Sequence, residues 1–146
     1  MSTDPILLQQ PLKFLVVDDS RAIQAIIRRA ILRCGFEPVE VRTALDGEQA
    51  LEMMANYAPD LVVTDWHMPK VSGLELLQAL RQMGQTKVRV GFITTEKTPA
   101  LLDQAISSGA MFILPKPFED AELVAVVTAA IKDLADALAV PSAPPA

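Results

Sequence analysis

The chain is poor in the residue that staples small secreted domains: a single cysteine, Cys34, stands in 146 residues. One cysteine excludes an internal disulfide and suits a reducing, cytoplasmic setting, where it packs as a small apolar residue near a helix end. An excess of positive charge is missing too. Lys and Arg total 13 against 18 Asp and Glu, giving a net charge of −5 and a pI near 4.8. Nucleic-acid binding by this domain is therefore excluded, because it would need a basic patch. No apolar run approaches the ~20 residues that cross a bilayer, so no membrane insertion is expected. The opening residues MSTDPILLQQPLK lack a basic stretch followed by a long apolar one, and no signal peptide is read there. What remains is ordinary. With 51% apolar and 21% charged residues, the composition is that of one globular domain with a substantial core.

Short apolar runs alternate with amphipathic segments. LKFLVV (12–17) reads as a buried strand, and the following helix sets Ile23, Ile27, Ala30 and Ile31 on one face, with Arg21, Arg28, Arg29 and Arg33 mostly off it. Ser20 is its expected N-cap and Gly35 its stop. EPVEVRT (37–43) alternates polar with apolar and holds Pro38, which places it at a sheet edge. DGEQALEMMANY is a predicted helix and DLVVTD (60–65) a buried strand. SGLELLQALRQM, KVRVGFIT (87–94), TPALLDQAISSG and MFIL (111–114) continue the alternation, with Thr98 expected to cap the fourth helix. The last helix carries Leu123, Val127, Ile131, Leu134 and Leu138 on one stripe. Five strand–helix units imply an α/β domain with a parallel sheet between two helical layers. The expected fold is flavodoxin-like and doubly wound, with five helices and strand order 2-1-3-4-5. Residues 1–11 read as an N-terminal extension, 12–139 as the domain, and 140–146 as a Pro/Ala-rich tail, disordered or a linker stub.

Sheets of this kind bind ligands beyond the carboxyl ends of their strands. Asp18, Asp19 and Asp65 end strands that this order makes neighbours. Three clustered carboxylates repel, and a hard divalent cation such as Mg²⁺ relieves that cost through oxygen ligands. A carboxylate there can also act as a nucleophile towards phosphorus. LPKPF brings Lys116 to the same rim and FITT brings the hydroxyl of Thr94, together a holder for a phosphoryl group. Each residue alone has a plainer reading: solvated strand ends, a turn starter, a surface lysine, a β-branched strand residue.

The segments VVDDS, ALDGEQAL, VVTDWHMPKVSGLELL, FITTE and GAMFILPKPF, in this order, resemble a response-regulator receiver domain of the single-domain chemotaxis type. The resemblance runs from about Lys13 to Leu138. It implies that Asp65 is the phosphoacceptor and that Thr94 and Lys116 contact the phosphoryl oxygens. By the same resemblance Asp19 and Asp65 would ligate Mg²⁺, Asp18 would act chiefly through water, and His67 would contribute its backbone carbonyl. The bond before Pro117 would be cis. His67, the sole histidine, would point outward and with Glu96 flank the path of water to the acyl phosphate; Trp66 would pack beside the site.

The implied function is a phosphorylation-dependent switch of a two-component system, not an enzyme. A histidine kinase or phosphotransfer protein would load it, and a downstream protein would read the fourth helix, fifth strand and last helix. Three departures from the family pattern stand out. The family often has an aromatic residue where this chain has Ile113; Phe112 stands one residue early, so it should face the other side of the sheet. Thr95 replaces a smaller residue at the pocket entrance, and Ser72 replaces a common aspartate, which we read as neutral. One alternative is a receiver fragment of a larger regulator or hybrid kinase. An aspartyl-phosphate phosphatase would show Asp-x-Asp in place of the adjacent pair, and an FMN-binding module a Ser/Thr/Gly-rich loop in place of DDSRAIQ.

Overall fold

The computed structural model describes residues 6–85 and 87–138, without the side chains of Gln9 and Leu138. The tail at 140–146 and the first five residues of the N-terminal extension lie outside the described residues, as does the Leu138 side chain. The chain runs β1 (Ile6–Val17), α1 (Arg21–Leu32), β2 (Phe36–Ala44), α2 (Gly47–Met53), β3 (Leu61–Thr64), α3 (Gly73–Gln82), β4 (Arg89–Thr94), α4 (Pro99–Ser107), β5 (Ala110–Pro115) and α5 (Asp120–Leu138). All strand pairs are parallel and the order is β2-β1-β3-β4-β5, the flavodoxin-like arrangement the alternation predicts.

Period-two alternation divides the sheet residues between two cores. Phe14, Val16, Val63, Ile93 and Leu114 pack with Ile27, Ile31, Leu123, Val127 and Ile131 under α1 and α5. Leu15, Val17, Val62, Val90 and Phe92 pack with Ala50, Leu77, Leu80 and Ala105 under α2, α3 and α4. Ile27, Ala30 and Ile31 of the α1 stripe and Leu123, Val127, Ile131 and Leu134 of the α5 stripe are thus buried, Ile23 is half-buried, and Arg21, Arg28, Arg29 and Arg33 are exposed. Cys34 sits at the seam of these helices. Its thiol donates to the Ala30 carbonyl at 3.1 Å and accepts from the Thr128 hydroxyl at 3.2 Å, while burial raises its pKa.

Several boundaries move. β1 begins at Ile6, earlier than residue 12, because Ile6 and Leu7 pair with Phe36 and Glu37 before an irregular stretch ends at Leu12. α2 stops at Met53, short of Tyr57. Pro59 discourages helix just ahead of it, and the turned chain drops the Tyr57 hydroxyl onto the carbonyls of Phe14 and Glu40 at 3.0 and 3.3 Å. Thr98 occupies the N-cap position of α4, but its hydroxyl accepts no cap hydrogen bond. Ser72 does more than the neutral reading allows: it forms a capping box with Glu75 that starts α3.

Phe112 and Ile113 do face opposite ways. Phe112 packs on the α1/α5 side and Ile113 on the α4 side. The Phe112 ring lies over Gly91 of β4, where a Cβ would overlap it. A glycine inside a strand is ordinarily a weakness, and here the ring covers the bare backbone. Gly91→Ala should therefore destabilise the domain by roughly 1–3 kcal/mol through overpacking. Urea unfolding of Gly91→Ala, Phe112→Leu and the double variant checks this: the double variant should lose less than the sum of the single losses.

Candidate functional site

The carboxyl ends of β1, β3, β4 and β5 meet at one rim, and local hydrogen bonds fix each end. Asp18 follows β1, with its N–H bonded to the Ala44 carbonyl at 3.1 Å. The buried Gln24 of α1 reaches back to the same place. Its side-chain amide donates to the carbonyls of Asp18 and Ala44 at 2.8 and 2.9 Å, clamping the ends of β1 and β2 together. Asp65 follows β3, its N–H held by the Val17 carbonyl at 2.9 Å. Its Oδ1 accepts from the Trp66 N–H at 2.7 Å.

These placements bring Asp18, Asp19 and Asp65 together, with one oxygen of each within 4.8 Å of the others. Asp18 is 1% exposed and Asp65 9%, while Asp19 faces solvent. Lys116, just past β5 and joined to Pro117 by the expected cis bond, reaches over them. Its ammonium lies 3.1 Å from Asp18 Oδ2 and 3.4 Å from Asp65 Oδ2. One cation thus faces three carboxylates.

Burial raises the Asp18 carboxyl above its usual range, opposed by the Ser20 N–H and by Lys116, with Asp65 adding to the rise. Burial alone would lower the Lys116 ammonium, yet its hydrogen bond and attraction to Asp18, reinforced by Asp65, hold it above its usual value. The pair is unequal. The ammonium is favoured in its charged form, while at Asp18 burial outweighs its partners. Among the described residues the metal-ligating groups that converge here are carboxylate oxygens, a donor set that fits hard Mg²⁺ and offers no soft ligand to a thiophilic metal.

Thr94 ends β4, fully buried. Its carbonyl accepts from the Lys116 N–H at 2.8 Å and its hydroxyl accepts from the Glu96 N–H at 3.0 Å. That leaves the hydroxyl proton free to be donated. His67 is exposed, as expected, and its Nε2 lies 3.1 Å from Glu96 Oε1. Hydrogen bonding by the side chain and backbone of Thr98 holds the Glu96 carboxyl below its usual range, with the His67 ring contributing further down. Thr95 is exposed at the entrance. Trp66 is 4% exposed and packs against Phe92, with ring centroids 5.1 Å apart.

Two supports of the site escape a reading of motifs. Gln24 is a polar residue on the same helical face as Ile27 and Ile31, and that misplaced polarity was its only signal. Gly73 opens α3 directly against the loop after Asp65, its N–H bonded to the Trp66 carbonyl at 2.8 Å. A Cβ at Gly73 would overlap the Asp65 carbonyl and press on the Phe92 ring, so only glycine lets α3 begin there.

Comparison with known proteins agrees with this architecture. Residues 14–128 match the model of the response regulator receiver domain. The probable chemotaxis protein CheY of Rhizobium etli is 33% identical over 124 residues, covering 84% of this chain and 94% of that protein. The response regulator MprA of Mycobacterium sp. strain KMS is 36% identical over 122 residues, 84% of this chain but 51% of that protein. The chain thus spans about half the length of the MprA relatives it matches. Among solved structures, chemotaxis protein CheY4 of Vibrio cholerae superposes with a TM-score of 0.70 at 28% identity, covering 86% of this chain and 99% of that one. Sheet order, acidic rim and sequence matches agree: the chain belongs to the response regulator receiver domains, the phosphorylation-dependent switches of two-component signalling.

Proposed function

We propose that Asp65 is the residue that takes the phosphoryl group. The observation that carries this is the Lys116 ammonium set between Asp18 and Asp65 at the strand ends, with Asp19 alongside. A carboxylate oxygen of Asp65 would attack phosphorus as the P–N bond of a phosphohistidine breaks, the imidazole, already protonated on its other nitrogen, leaving as the neutral ring. Lys116 and the free hydroxyl proton of Thr94 would meet the phosphoryl oxygens, where negative charge accumulates. Asp19 and Asp65 would hold Mg²⁺ directly, Asp18 chiefly through water, with the His67 carbonyl completing the protein's share. Bound there, the cation supplies charge neutralisation as an anionic phosphoryl group nears an acidic rim.

The donor would be a histidine kinase or a phosphotransfer protein. The unit at 12–139 would act in the cytoplasm as a switch and not as a turnover enzyme. Output would pass by protein contact through α4, β5 and α5, where Ile106 is already exposed. Loading moves this equilibrium only as far as the phosphoryl group prefers one state over the other. Among the described residues no helix is long and apolar enough to cross a membrane.

Mg²⁺ should change the fluorescence of Trp66, the only tryptophan, and raise the melting temperature by binding the folded state. Asp19→Asn should weaken binding roughly tenfold or more, because a charged oxygen ligand is lost. An unchanged titration curve would refute the metal assignment.

Transfer from a phosphorylated histidine kinase should add one phosphoryl group to the intact mass, labile to base and to hydroxylamine. Asp65→Asn should remove it. Equally labile label persisting in that variant would place the acceptor elsewhere.

Lys116→Ala should leave Mg²⁺ binding equal or tighter, because a competing cation is gone, while output contact on phosphorylation falls. Parallel losses in both assays would overturn this division of roles.

A further inference from the structure

The hydrogen bonds around Glu96 converge on one residue from three elements. Its backbone N–H donates to the Thr94 hydroxyl at 3.0 Å. Its Oε2 accepts from the N–H groups of Lys97 and Thr98 at 3.0 and 2.8 Å. Its Oε1 lies 3.1 Å from His67 Nε2 on the acceptor loop, two residues beyond Asp65. The Glu96 side chain is largely covered, 10% exposed against 58% for the imidazole it meets.

The Thr98 hydroxyl, placed to cap α4, accepts no such bond. The Glu96 carboxylate meets the orphan N–H of Thr98 instead, and its negative charge sits at the positive end of the helix. The start of α4 is thereby attached to a group that also grips the acceptor loop. No other described residue meets the loop after Asp65, the Thr94 hydroxyl, and the N–H groups of Lys97 and Thr98 just ahead of α4 at once.

We propose that Glu96 is a coupling residue: it transmits a rearrangement of the acceptor loop at His67 to the N-terminus of α4. The proposal rests on Asp65 being the site of phosphorylation. A shift of His67 changes what Oε1 can reach. The same rigid carboxylate must then rotate Oε2 against the Lys97 and Thr98 amides, loosening or re-aiming the first turn of α4. Its backbone N–H fixes the Thr94 hydroxyl as a donor throughout, so both sides of the pocket are tied to one residue. Glu96 does not perform the chemistry; it positions groups that touch the phosphoryl group and reports their position to the helix.

The test compares wild type, Glu96→Ala and His67→Ala, each with Mg²⁺ alone and with Mg²⁺ plus beryllofluoride as an acyl-phosphate mimic. Loading is read from Trp66 fluorescence, and α4 is read separately from amide hydrogen exchange at Lys97, Thr98 and Ala100 to Leu102. In wild type, beryllofluoride should alter exchange at these amides. Glu96→Ala should exchange there roughly fivefold faster before loading, the size expected for a lost helix cap, and should show no further response on loading. His67→Ala keeps the carboxylate on these amides but frees its other oxygen, so exchange before loading should rise less than in Glu96→Ala, yet the response to beryllofluoride should again be lost. That second variant separates coupling from mere helix capping. A full α4 response in either loaded variant would overturn the proposal. A wild type that fails to load would instead remove the Asp65 assignment, and the coupling with it.

Discussion

Repulsion among three carboxylates, with one ammonium to oppose it, is the constraint around which the rim is built. Asp18 and Asp65 are buried where water cannot fully screen them, so their mutual repulsion acts on the fold itself. Lys116 relieves part of it across the sheet, linking the end of β1 to the end of β5. The rest is left for a cation, and a rim with unbalanced negative charge responds readily to one. Stability and cation affinity would therefore share an origin here, since the repulsion that costs the fold is what a bound cation would relieve.

Holding such a rim open demands backbone that cannot relax away from it. Gln24 ties β1 to β2 through two carbonyls, and the Lys116 N–H ties the loop after β5 to the Thr94 carbonyl. Gly73 lets α3 start directly against the Asp65 carbonyl, and the Ser72–Glu75 box fixes where that start falls. None of these groups carries charge into the site. They hold the carboxylates at a separation the carboxylates would not choose.

Much of this was legible in the residues. Alternating apolar runs and amphipathic segments specify five strand–helix units because period two and period 3.6 are hard to confuse over such lengths. Asp18, Asp19, Asp65, Thr94 and Lys116 could be brought together because each stands at the end of a strand whose neighbours the topology dictates. The Phe112–Ile113 offset was readable for the same reason, since adjacent strand residues must face apart. Less legible was whatever depended on tertiary reach. Ile6 and Leu7 extend β1 only because β2 is there to pair with them. Tyr57 leaves its helix because two distant carbonyls accept its hydroxyl. Thr98 looked like a cap on local grounds, but its hydroxyl takes no cap bond, and its own N–H is met by Glu96 from the preceding loop. Gln24 and Gly73 belong to no motif; their roles are set by carbonyls and rings brought in from other segments.

The position of Cys34 has an experimental consequence of a different kind. The thiol is the only one in the chain, bridged between Ala30 of α1 and Thr128 of α5, and burial raises its pKa. Thiolate is the reactive species, and the half-buried thiol is hydrogen-bonded to both helices, so opening of that seam should speed alkylation. The labelling rate of the unaltered protein thus becomes a clock for breathing of the α1–α5 seam, on the sheet face away from α4. Comparing that clock with and without a loaded rim would reveal whether the two faces of the sheet move together or independently.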